Sequence, residues 1–211
     1  MNVKLQSITP DVETNIVEVA RVSSSRKDKS QNPAGLINYL IKHKHWSPFE
    51  HGFITMEIDT SKAIGIQLLR HRSFTFQELS QRYAVVGASE SVELRQQHAN
   101  NRQSSTKVFN PMIRGIPASD FIEEHIIYSQ ELYQELLNAG IARECARMIL
   151  PMSTSTTIYM TGSVRSWIHL INIREDSHAQ KEAQDIAKAM KSIFIKELPL
   201  ISEALGWSNI T

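Results

Sequence analysis

The stretch GFITMEIDTSKAIGIQLLRHR, Gly52 to Arg72, decides the fold. Its first half alternates Ile54, Met56 and Ile58 with Thr55 and Glu57, the period-two pattern of a strand with one buried face. Thr60 or Ser61 can then cap a helix by accepting from its first orphan N–H groups. KAIGIQLLRHR reads as that helix, with Gln67 and Arg70 three apart on one face near its end. A strand that runs straight into a helix, in a chain where helical segments outnumber strands, makes the class α+β.

Upstream lie an extended start, a polar, turn-prone loop from Val22 to Pro33, and a helix, AGLINYLIKHKH, with Leu36, Ile37, Leu40 and Ile41 on its buried face. Pro48 breaks that pattern. Downstream, Thr75 to Tyr83 reads as extended, which would place Glu78, Ser80 and Arg82 on one side and Gln77, Leu79 and Gln81 on the other. Residues 87–115 carry little periodicity and read as a long irregular excursion. A long helix is expected from Asp120, with Asp120 and Glu123 as its capping box and Gly140 at its C-cap. IARECARMIL reads as a short helix ended by Pro151, and MSTSTTIYMTGS as a Ser/Thr-rich loop and short strand. SVRSWIHLINIR buries Val164, Trp167, Ile168 and Ile171, leaving Arg165, His169 and Asn172 as a polar stripe. A last helix from about Ser177 buries Ala183, Ile186, Ala187, Met190, Ile193 and Phe194.

At 211 residues the chain is expected to form a single domain spanning 1–211. No run of about 18 apolar residues could cross a bilayer, and the first residues show no apolar leader segment, so a soluble, cytoplasmic protein with no membrane partner is expected. Lys and Arg number 23 against 22 Asp and Glu, a net charge of +1, so no global field draws the chain to a polyanion. A nucleic-acid-binding domain would have a pI above about 9; the pI here is ≈ 7.9. The single cysteine, Cys145, excludes an internal disulfide. Its apolar neighbours Ala142, Ala146 and Ile149 favour a buried structural thiol over a nucleophile.

Charge is instead local. RHRSFTFQELSQR, Arg70 to Arg82, sets Arg70, Arg72 and Arg82 around His71 with only Glu78 as countercharge. Such a cluster is either a solvated face or an anion site, for which a mononucleotide phosphate is the natural guest. HKHWSPFEH, His43 to His51, offers three histidines and Glu50. They could ligate a metal, but the spacing lacks a compact ligand motif, and packing of His and Trp beneath a turn competes with that reading. Arg174 either caps the carbonyls of its helix or faces a ligand. Arg143 and Arg147, four apart, repel unless an anion or Glu144 intervenes.

Four motifs come in one order: Arg70-His71-Arg72, seven residues, then Ser80 with Arg82 and Tyr83; HWSPFEH at 45–51, which precedes it; ECARMILP at 144–151; and SVRSWIHLINIREDSHAQ at 163–180. Together they resemble the flavin-dependent thymidylate synthases over about residues 35 to 195. The resemblance implies an antiparallel sheet flanked by helices. It also implies a methyltransferase of dTMP biosynthesis: a homotetramer that binds FAD, takes hydride from NADPH and uses 5,10-methylenetetrahydrofolate to methylate dUMP, without an enzyme nucleophile. Carried over, Gln67, Arg70, Glu78, Ser80, Gln81, Arg82 and Arg147 match dUMP-binding positions, with the Ser80 and Gln81 backbone near the phosphate. Ser47, Arg70, His71, Arg72, Glu78, Ser163, Arg165 and His169 match FAD-binding positions, His45 a histidine near flavin and folate, and Arg174 the arginine that activates the pyrimidine. No metal is implied. Ser163 and His169 stand where many members have Asn.

Overall fold

The computed structural model describes residues 1–23 and 32–207, so most of the loop expected from Val22 to Pro33 lies outside the described residues. In chain order the elements are β1 (Asn2–Ile8), α1 (Val12–Arg21), α2 (Pro33–Lys42), β2 (Phe53–Ser61), α3 (Lys62–Leu68), β3 (Phe74–Glu78), β4 (Arg95–Gln97), β5 (Ser105–Val108), β6 (Met112–Ile113) and β7 (Ile116–Pro117). They continue with α4 (Ala118–Asn138), α5 (Arg143–Ala146), β8 (Ser155–Ser163), α6 (Val164–Glu175), α7 (Lys181–Glu197) and α8 (Pro199–Ala204). The main sheet has the order β1-β2-β8-β3. Its strands run antiparallel: Thr55 faces Thr161 while Asp59 faces Thr157, and Gly162 lies against Phe74 while the Leu79 N–H donates to the Thr157 carbonyl. The α+β class with an antiparallel sheet is thus the observed one.

The chain divides into two compact units, Met1 with Asp59–Arg70 and Gln77–Ile158 as the first, and Asn2–Ile58 with His71–Phe76 and Tyr159–Thr211 as the second. In the second unit Ile54, Met56 and Ile58 are buried as their alternation requires, together with Val164, Trp167, Ile168, Leu170 and Ile171 of α6 and the apolar face of α7. The Trp167 indole N–H donates to the Ile54 carbonyl at 3.0 Å, so even the largest buried ring is satisfied. Phe74 lies edge-on to Trp167 with ring centroids 4.8 Å apart. Gly162 makes room for it, since a Cβ there would come within 2.4 Å of the Phe74 ring. The amino-terminal segment is not wholly extended: α1 buries Val12, Ile16 and Val17 at helical spacing. A further short helix, α8, follows Leu198, with Pro199 at its first turn.

The first unit centres on Tyr133, Val86 and Ala146, with Leu136, Leu137, Ile149 and Leu150 packed around them. Ser61 caps α3, its hydroxyl accepting from the Ile64 N–H at 3.4 Å. The helix ends at Leu68 rather than continuing through Arg72, because the chain must turn back to enter β3. β3 in turn stops at Glu78. The Ser80 carbonyl accepts from both Tyr83 and Ala84 N–H groups, closing a turn where an extended wall to Tyr83 was expected. Residues 87–115 are not featureless: β4 pairs with β5 and β6 with β7 as short antiparallel ribbons. The second turns on Arg114 and Gly115, both at positive φ (52° and 81°), the geometry of a two-residue hairpin turn. α4 starts at Ala118 behind Pro117, two residues before the expected Asp120, and no side chain caps it. Gly140 follows its end at φ 84°, as a left-handed stop requires. β8 is a full nine-residue strand, and α7 begins at Lys181 rather than near Ser177. Cys145 is exposed, contrary to expectation. α5 is only four residues long and turns Ala146 inward, which leaves the neighbouring Cys145 facing out.

Candidate active site

Each unit gathers part of the expected site. The first holds Gln67, Arg70, Glu78, Ser80, Gln81, Arg82 and Arg147, all the positions matched to the nucleotide. Glu78, at the end of β3, accepts through one oxygen from Lys62 Nζ at 2.8 Å and from the Thr156 hydroxyl at 2.9 Å. Gly65 of α3 lets this group close up, for a Cβ there would sit 3.1 Å from Ile158 and 3.6 Å from Glu78 Oε1. Beyond the Ser80 turn Gln81 is buried and Arg82 is turned outward, to Glu144 at 3.1 Å. Arg143 Nη1 donates to the Tyr83 carbonyl at 2.7 Å, tying the turn to α5. Arg82, Tyr83, Arg143 and Glu144 edge an open cleft of about 660 Å³. Arg147 is separate from these pairs: its Nε is buried and meets no hydrogen-bond acceptor among the described residues. A buried guanidinium N–H without an acceptor is costly, and an anionic ligand would relieve it.

The second unit holds His45, Ser47, His71, Arg72, Ser163, Arg165, His169 and Arg174. The polar stripe of α6 is as expected, with Arg165, His169 and Asn172 exposed beside buried neighbours. Together with Trp46 and Ser73 they line a cavity of about 350 Å³. Trp46 gives this cavity an aromatic wall, and Arg165, His169, Asn172 and the Glu50 carboxylate give it a polar rim of mixed charge. Glu50 organises one side. Its carboxylate accepts from Arg165 Nη1 at 2.8 Å and from the Ser163 hydroxyl at 2.7 Å, and the same Ser163 oxygen caps α6 by accepting from the Ser166 N–H. Glu50 was read only as a possible metal ligand; its partner Arg165 lies 115 residues away, and no local pattern announces it.

His71 and Arg174 meet on the other side. Arg174 Nε–H donates to His71 Nε2 at 3.0 Å. Burial above all, then the charges of Arg174 and His169, holds the His71 imidazole well below the ordinary 6.5, at about 4. His45 and Ser47 are exposed, His45 lying edge-on to Tyr39 at 5.9 Å, and His43 Nδ1 pairs with the Tyr39 carbonyl at 2.8 Å. Among the described residues no group of three or more His, Cys, Asp or Glu side chains could hold a metal. No helix among the described residues is long and apolar enough to cross a membrane.

Comparison with known proteins identifies the family. The family model described as thymidylate synthase complementing protein matches residues 4–200. A probable flavin-dependent thymidylate synthase of Paramecium bursaria Chlorella virus 1 is 45% identical over 98% of this chain and 100% of its own length. The chain belongs to the flavin-dependent thymidylate synthase family. Another member, from Synechocystis sp., is 44% identical over 91% of this chain and 88% of that one. Among solved structures, a UMP/dUMP methylase from Streptomyces cacaoi, bound with 5-Br dUMP, superposes with a TM-score of 0.79 at 28% identity, covering 97% and 94% of the two chains. Membership makes the chain an enzyme of a methyltransferase family.

Proposed function

We propose that this enzyme converts dUMP to dTMP, with 5,10-methylenetetrahydrofolate as carbon donor, NADPH as the source of hydride, FAD as resident cofactor, and no enzyme nucleophile. The observation that carries the nucleotide reading is Arg147, a partly buried side chain whose buried Nε has no acceptor among the described residues, in the same unit as the Ser80 turn and Arg82. A phosphate supplies that acceptor. Arg147 and Arg82 hold the phosphate beside the Ser80–Gln81 backbone, while Gln67, Arg70 and Glu78 orient the sugar and base. Ser80 acts as a binding hydroxyl: its oxygen accepts from the Arg82 N–H at 3.4 Å, and no base is recorded beside it. Exposed Cys145 lies outside the reaction.

The residues of the second unit fit a flavin. Trp46, Arg165, His169 and Asn172 offer an aromatic wall and polar donors around the 350 Å³ cavity, enough for part of a dinucleotide. Ser47, His71 and Arg72 extend the set, and Arg70 and Glu78 are matched to the flavin as well. Bound FAD supplies the redox chemistry. The protein's part is to bind, orient and polarise. Arg174 stabilises negative charge on N3 and O2 of uracil, which enriches C5 for attack on the methylene carrier. C5 would bond to the methylene carbon and give up its proton, the bond from that carbon to the folate nitrogen would break to release tetrahydrofolate, and a hydride equivalent originating in NADPH would end on the same carbon to complete the methyl group. His45 stands on the folate side. Ser163 touches flavin only at the expense of its bond to Glu50, so it serves chiefly to fix Glu50 and Arg165.

The enzyme assembles as a homotetramer with active sites built from several copies; exposed Met112, Ile127 and Tyr128, at 63%, 48% and 61%, supply apolar surface for such contacts. The test is dTMP formation under anaerobic conditions from dUMP, NADPH, FAD and methylenetetrahydrofolate. Product is expected only when all four are present. No product from the full mixture, or product without flavin, would overturn the proposal.

A further inference from the structure

The contact between Arg174 and His71 constrains both partners. A guanidinium carries only donors, so the 3.0 Å contact from Arg174 Nε requires His71 Nε2 to be an unprotonated acceptor. The proton of the neutral ring therefore lies on Nδ1. The ring is also braced. His71 stands edge-on to Phe74, with centroids 6.4 Å apart and planes at 89°. Phe74 is fixed in turn by Trp167 and by the absent side chain of Gly162, and Trp167 is anchored to the backbone of Ile54. A line of contacts thus runs from the sheet to the arginine at the end of α6.

From this geometry we infer that His71 is a positioning residue: as a neutral, Nδ1-protonated imidazole it accepts from Arg174 Nε and sets the plane in which that guanidinium meets the pyrimidine. Nε lies next to the pivot of the guanidinium, so a bond made there fixes the direction of the terminal Nη edge. An acceptor without charge adds no negative charge of its own at this position, whereas a carboxylate at the same place would compete with the developing negative charge on uracil. Arg174 and His169, the two charged or titratable groups that act on the ring, both disfavour its protonation. The acceptor form therefore persists through neutral pH. The inference rests on the reading of Arg174 as the residue that activates the pyrimidine.

Three variants of the holoenzyme and one spectrum test it. His71→Leu removes the acceptor while keeping bulk, and should lower kcat by about tenfold or more, the loss expected for a hydrogen bond to a charged group, with KM for dUMP little changed. His71→Gln, whose amide oxygen can replace Nε2 as acceptor, should recover most of that loss; a Gln variant as slow as the Leu variant overturns the inference. Arg174→Ala is measured in parallel. If it leaves turnover intact, the reading of Arg174 fails; if it collapses turnover while His71→Leu matches the parent, only the positioning role fails. Should His71→Leu lose flavin or fold, the decision passes to the 15N spectrum of histidine-labelled parent holoenzyme. An Nδ1-protonated, Nε2-bare His71 at neutral pH is expected, and a proton on Nε2 overturns the inference.

Discussion

In the first unit Arg82 lies 3.1 Å from the carboxylate of Glu144, both side chains more than half exposed; in the second, Arg174 Nε lies 3.0 Å from a half-buried, neutral imidazole. The two arginines have the same chemistry and are held differently. An exposed carboxylate partner is worth about 0–1 kcal/mol, so it can hold Arg82 in the absence of ligand and yield it to a phosphate. The neutral imidazole adds no negative charge of its own beside Arg174, as the proposed role of that arginine toward a ring requires. Under the proposed function, the contrast separates capture of the nucleotide from activation of it.

The widest break in that contrast comes from Arg174→Ala, expected to lower dTMP formation by roughly a hundredfold or more, in the range seen when one transition-state donor is removed. Flavin absorbance should survive; comparable turnover in the variant would end the distinction. The two glycines sharpen it next. Gly162→Ala pushes a Cβ into the Phe74 ring behind His71 and should cost about 1–3 kcal/mol as overpacking. Gly65→Ala meets the mobile tip of Ile158 at 3.1 Å and gains up to about 1 kcal/mol of helix propensity, so its change should be near zero. Thermal melts of both variants decide this.

A pH series probes the second unit alone. The folded-state value of His71 is depressed from 6.5 to about 4, so its neutral form favours the fold fully above about pH 6.5, and that contribution is lost as pH falls through 4. Denaturant midpoints should therefore fall less between pH 6.5 and 4 in His71→Gln than in the parent. The smallest effect is Glu144→Gln, which should lower KM for dUMP by no more than about fivefold with kcat unchanged. A rise in KM would mean that Glu144 orders Arg82 for the phosphate rather than competing with it.

Much of this was legible where structure follows local period. The alternation in β2, the cap expected at Thr60 or Ser61 and taken by Ser61, and the polar stripe of α6 are where the sequence places them, because each depends on residues within a few positions. α1 was missed because Val12, Thr14, Ile16, Val17 and Val19 are mostly β-branched and mimic a strand, although Val12 and Ile16 share a helical face. The Ser80 turn was missed because Leu79–Ser80–Gln81–Arg82 keeps an alternating pattern while two N–H groups close on the Ser80 carbonyl. Cys145 was misplaced because apolar neighbours in sequence do not fix which side of a four-residue helix faces in. Glu50, His71 and Gly162 owe their roles to partners far along the chain, which only the fold brings together.

The central claim is that Arg147 of the first unit holds the nucleotide phosphate while Arg165 of the second holds the flavin. Calorimetric binding of dUMP and of FAD to Arg147→Ala and Arg165→Ala tests it most directly. The predicted result is crossed: Arg147→Ala loses dUMP affinity and keeps FAD, and Arg165→Ala loses FAD affinity and keeps dUMP. Loss of FAD from Arg147→Ala with dUMP binding intact would contradict it.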